Sequence, residues 1–85
     1  MLTLAKLINK AEGAFELKYR DEYPYGVFLV ITATMFTDSG KRWICGIVPT
    51  SDTEIFTDFV CYSYGISPRA SIKNFIENYE LGVQE

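Results

Sequence analysis

Apolar residues recur at helical spacing at the start of the chain, with Leu4, Leu7, Ile8 and Ala11 on one side and Lys6, Asn9 and Lys10 on the other. That period predicts an amphipathic helix. Thr3 is placed to cap its first turn and Gly13 to end it in a left-handed conformation, so the helix is expected over residues 3–12. The period then changes to two: Phe15, Leu17 and Tyr19 alternate with Glu16, Lys18 and Arg20, the pattern of an edge strand with its charged side in water. Tyr23-Pro24-Tyr25-Gly26 follows as a turn, because proline fixes φ and glycine permits a positive φ.

The next run, Val27 to Phe36, is apolar or threonine on both of its faces. Thr37-Asp38-Ser39-Gly40-Lys41 suits a three-residue hairpin loop with Gly40 as a left-handed bulge. Pairing Thr37 with Lys41 sets Met35 opposite Trp43, Ala33 opposite Cys45 and Ile31 opposite Ile47. One face then carries Val27, Leu29 and Ile31, and the other carries Phe28, Val30, Thr32, Thr34, Phe36, Arg42, Ile44, Gly46 and Val48. A two-residue loop would flip the third strand and exchange its two sets of side chains. Pro49 cannot donate a ladder hydrogen bond and closes that strand.

Residues 51–64 carry two patterns. Ser51 and Glu54 have the spacing of a capping box, and Ile55, Phe56, Phe59 and Val60 fit one side of a helix. The dominance of Ile, Phe, Thr, Val, Cys and Tyr favours a strand, expected from about Phe56 to Tyr64. Beyond it Ser67 and Pro68 form a helix start, Ile72, Phe75, Ile76 and Tyr79 share one side, and Gly82 is the expected stop. Together these elements predict an α+β fold: an antiparallel three- to four-stranded meander with an N-terminal and a C-terminal helix packed on one face, in the order α-β-β-β-β-α. No linker divides it, so residues 1–85 are expected to form a single domain.

Composition leaves this picture intact and narrows the function. Hydrophobic residues at 48% and charged residues at 22% are those of an ordinary globular domain rather than a disordered segment. The net charge of −3 disfavours non-specific attraction to phosphate backbones and anionic lipid. The uncharged stretch from Tyr23 to Thr37 is interrupted by Pro24 and Gly26 and falls short of the roughly 20 apolar residues of a membrane span. No charged region precedes an apolar block at the N-terminus, so the expected location is the cytoplasm. Cys45 and Cys61 sit inside apolar runs and read as two reduced, buried thiols.

Chemistry is unmarked. There is no histidine, hence no ordinary general base at neutral pH, and the chain has no nucleophile elbow, zinc-binding spacing or phosphate loop. No catalytic residue, cofactor or metal is expected, and the protein is read as a non-enzyme. Asp52, Glu54 and Asp58 lack the pattern of a calcium loop and read as an acidic turn or a helix start, or as a patch that docks a basic partner. A third class of reading, a small cysteine-dependent enzyme with Cys45 or Cys61 as nucleophile, needs an electropositive, partly exposed thiol.

Arg69 and Lys73 lie four apart at the start of the last helix. A helix–strand–strand–strand–helix order with basic residues there resembles the double-stranded-RNA-binding domain, and the resemblance implies recognition of A-form shape through phosphates and 2′-hydroxyls. It lies in the order of elements alone, and the predicted fourth strand departs from it. The corresponding alternative is a nucleic-acid-binding domain using Lys6, Lys10, Lys41, Arg42, Arg69 and Lys73.

The leading expectation comes from geometry. Four strands at about 4.8 Å spacing make a sheet that two helices of about 10 Å diameter cover on one face only. Phe28, Val30, Phe36, Ile44 and Val48 would then form an exposed apolar patch, flanked by Tyr23, Tyr25, Tyr62 and Tyr64. Such patches mark interaction sites. The chain therefore reads as a small regulatory or interaction protein that binds protein through this face, as a homodimer or with a heterologous partner. Its size, acidity and lack of catalytic signature fit the profile of inhibitors and accessory proteins of phages and mobile elements.

Overall fold

A computed structural model describes residues 2–34, 43–50 and 59–84. The first helix, α1, spans Leu4–Lys18, with the Thr3 hydroxyl accepting the Lys6 amide at 3.2 Å as its N-cap. It is longer than the sequence pattern suggested, and the predicted first strand does not form. Phe15 continues the four-residue series Leu7, Ala11, Phe15, all three fully buried on one side of the helix, while Leu17 is 67% exposed. Burying Phe15 against the core outweighs the alternation that would have hidden Leu17. Gly13 consequently sits inside the helix rather than ending it.

The turn at Tyr23–Gly26 forms as expected, with the Gly26 amide bonded to the Tyr23 carbonyl at 3.1 Å and Gly26 at φ 90°. Three strands follow, β1 (Val27–Ala33), β2 (Trp43–Pro49) and β3 (Cys61–Gly65), in one antiparallel sheet of order β1-β2-β3. β1 pairs with β2 so that Ala33 faces Trp43, Ile31 faces Cys45 and Leu29 faces Ile47. That is two residues from the expected register. Because side chains alternate with a period of two, a shift of two keeps every residue on its expected face. The hairpin loop expected at Thr37–Lys41 lies outside the described residues, as do Met35 and Phe36. The last strand begins at Cys61, with Phe59 and Val60 outside it, and the part expected from Phe56 to Asp58 lies outside the described residues.

α2 spans Pro68–Asn78, with the Ser67 hydroxyl accepting the Ala70 amide at 3.0 Å and Pro68 at its first position. It ends before Gly82. The Glu80 amide bonds to Glu77 at 3.2 Å and the Leu81 amide to Ile76 at 3.0 Å, with Glu80 itself at φ 51°. This is a Schellman reversal in which a glutamate holds the position that glycine usually takes. The order is thus α-β-β-β-α, an α+β fold with three strands among the described residues.

The core lies between the helices and one face of the sheet. Leu7, Ala11 and Phe15 of α1 and Ile72, Phe75 and Ile76 of α2 pack with Val27, Leu29, Cys45 and Ile47. The helices run side by side in the same direction. Arg69, in the first turn of α2, donates to the Leu2 carbonyl at 2.9 Å, while Lys18 at the end of α1 donates to the Tyr79 and Glu80 carbonyls at 2.8 and 3.3 Å. Lys18 thereby satisfies carbonyls left open at the end of α2. At that same end Phe15, Tyr19, Tyr23, Phe75 and Tyr79 form one aromatic cluster, with centroids 4.5 to 6.2 Å apart.

Candidate interaction face

The register places Phe28, Val30 and Thr32 of β1, Ile44, Gly46 and Val48 of β2, and Tyr62 and Tyr64 of β3 on the face away from the core. No charged residue stands on it among the described strand positions. Phe28 is 51% exposed and Tyr62 is 49% exposed, although both sit within strands where a covered sheet would bury them. Val30, Ile44 and Tyr64 are half-buried. Tyr62 and Tyr64 pack edge to face, 5.6 Å between centroids, so their rings hold each other upright along β3. Val60 and Ile66, at the two ends of that strand, are exposed as well.

The expected patch is not uniformly open. Val48 belongs to this face yet is only 7% exposed, and Gly46 beside it is buried. Phe59 is one cause: a Cβ on Gly46 would lie 2.5 Å from its Cδ1, so the ring rests directly on the glycine. The two helices cover one face of the sheet, and the Phe59 ring from the β2–β3 connection covers part of the other at Gly46. Tyr23 also departs from its expected place. It packs with Phe15 against the core, whereas Tyr25 is 66% exposed just before β1. Phe36 lies outside the described residues. No sequence pattern announces the Phe59–Gly46 contact, since a glycine in a strand signals only that something approaches closely.

Both outer edges of the sheet are engaged by the helical layer. On β1 the Leu29 amide donates to the Glu12 carboxylate at 2.8 Å. On β3 the Tyr62 amide donates to the Tyr79 hydroxyl at 3.2 Å, and the Asn74 side-chain amide donates to the Tyr64 carbonyl at 2.7 Å. Side chains thus occupy some of the backbone groups through which another strand would pair, one on β1 and two on β3.

The cysteines are free and share the core-facing side, Cys45 opposite Ser63 and Cys61 opposite Ile47, so they stand diagonally across two strands. Burial pushes the Cys45 thiol up to about 12, and Cys61 is raised by burial as well. Neither has the depressed pKa of a nucleophilic thiolate. Among the described residues no group of His, Cys, Asp and Glu is arranged to hold a metal ion, and no helix is long and apolar enough to cross a membrane.

Compared with known proteins, the chain matches no family model, no curated protein and no solved structure.

Proposed function

We propose that this chain is a non-enzymatic protein-binding module that works through the uncovered face of its sheet, occupying a surface of a partner protein. The observation that carries the reading is the half-exposure of Phe28 and Tyr62 on a face without charged strand positions. Aromatic anchors of this kind supply most of the energy of interfaces at a low cost in side-chain entropy. The occupied edge groups favour docking on the face. A partner that added a strand to β1 or β3 would have to displace Glu12, or Tyr79 and Asn74, so the partner docks on the face instead.

The test uses wild type, Tyr62→Asp and Lys10→Glu as immobilised baits in a lysate of the encoding organism, with bound proteins read by mass spectrometry. A partner held by wild type and Lys10→Glu but lost by folded Tyr62→Asp supports the reading. A partner set unchanged by Tyr62→Asp overturns it.

A second reading has one specific observation in its favour. The parallel helices bring their N-terminal halves together, and these halves carry Lys6 and Lys10 on α1 and Arg69 and Lys73 on α2 with no acidic residue between 2 and 11 or between 67 and 76. The described residues also follow the α-β-β-β-α order of the double-stranded-RNA-binding domain, the strand expected over 15–20 having folded as helix and turn. Lys41 and Arg42 lie outside the described residues. A nucleic-acid-binding domain of this kind would hold duplex RNA with an affinity that falls steeply with salt, and a flat salt titration would exclude phosphate contacts.

A further inference from the structure

We infer that the occupant of the uncovered face is a second copy of this chain, packed face to face about a twofold axis; the inference rests on the reading of that face as a protein-binding surface. Charge is the first argument. The chain carries a net −3, yet the described strand positions of this face are apolar, aromatic, threonine or glycine, so two copies meeting through these positions bring no like charges into contact there. The exposed sides of both helices, by contrast, carry Lys6, Lys10, Glu16, Lys73 and Glu77. Edge-to-edge pairing, the common alternative for a small sheet, is opposed by the Glu12, Tyr79 and Asn74 contacts.

Area sets the strength. An aromatic side chain can bury about 150 to 250 Å², so the half-exposed Phe28 and Tyr62 offer about 100 Å² each. With the partly exposed Val30, Ile44 and Tyr64 on the face and the exposed Val60 and Ile66 flanking β3, the apolar surface available is about 500 Å². Two such faces bury about 1,000 Å² together, the lower bound for a specific interface. An isologous contact uses the same patch twice and closes at two subunits. The result is a reversible dimer that dissociates on dilution, not a permanent one.

Sedimentation equilibrium from about 10 μM to about 1 mM tests this. The expected result is a monomer-to-dimer transition in wild type and in Lys10→Glu, absent in Tyr62→Asp and in Phe28→Asp, with both face variants retaining the wild-type circular dichroism spectrum. Should the aspartates impair folding, Tyr62→Ser and Phe28→Ser serve in their place, and amide exchange in β3 that slows with wild-type concentration gives a second readout. A strict monomer over the whole range, or a dimer that survives both face variants, overturns the inference. A monomer whose captured partner is nonetheless lost by Tyr62→Asp would leave the protein-binding reading standing and remove only self-association.

Discussion

Gly65 lets the last strand touch the last helix backbone to backbone: a Cβ at this position would stand 2.3 Å from the amide nitrogen of Ser71 and 2.7 Å from the Ala70 carbonyl carbon. Ser71 is fully buried there, its hydroxyl donating to the Pro68 carbonyl at 2.7 Å. On the same side of β3, buried Ser63 accepts from the Asn78 amide at 2.9 Å. Small residues along β3 thus bring α2 close to the sheet. Gly65→Ala is expected to destabilise by about 3 kcal/mol or to prevent folding, because the obstructing atoms are backbone and cannot rotate away. A urea titration that placed this variant within about 0.5 kcal/mol of wild type would show the contact to be slack.

Gly13 gives the opposite expectation. Nothing lies within 4 Å of a Cβ built there, and the residue is exposed inside α1. Gly13→Ala should stabilise by about 1 kcal/mol through helix propensity alone, raising the urea midpoint without changing the slope.

At the end of α2, Glu80 occupies the left-handed region at φ 51°, where a side chain costs about 1 kcal/mol that glycine does not. Glu80→Gly is therefore expected to raise stability by up to that amount despite the greater entropy of glycine in the unfolded chain. A lowered melting temperature would mean that the glutamate side chain contributes an interaction larger than its backbone strain.

The Glu12 carboxylate accepts the Leu29 amide at the outer edge of β1. Glu12→Ala leaves that amide without its acceptor and should cost about 1 to 2 kcal/mol. Hydrogen exchange gives the local readout, with the Leu29 amide exchanging faster while α2 keeps its protection.

Alkaline pH should destabilise the protein through its buried thiol. The buried Cys45 thiol is raised from 9.0 to about 12, so the unfolded chain loses this proton first. The associated stability is complete below pH 9 and declines between pH 9 and about 12, with a slope approaching 1.4 kcal/mol per pH unit. Tyr23 and Tyr79, both raised chiefly by burial, add to the loss above pH 10. Cys45→Ala, compared with wild type in denaturant titrations at pH 7 and pH 10.5, should lose less stability over that interval; equal losses would show that Cys45 contributes nothing to it.

The chain by itself determined α2 with its Ser67 and Pro68 start, the Tyr23–Gly26 turn, the antiparallel pairing of β1 with β2, and the sorting of their side chains to two faces. These are local or periodic properties: a cap, a turn and a period of two are written in neighbouring residues, and the period survives a slip of two in register. Tertiary structure decided what depended on distant atoms. Residues 15–20 alternate like a strand, but 15–18 fold as helix because Phe15 fills the core, where Phe75 waits 5.9 Å away. Phe59 closes over Gly46 from 13 positions away, and Glu12, Asn74 and Tyr79 bond to edge-strand groups 17, 10 and 17 positions away. No local pattern encodes such meetings, and the contact of Phe59 helps set how much of the outer face stays exposed.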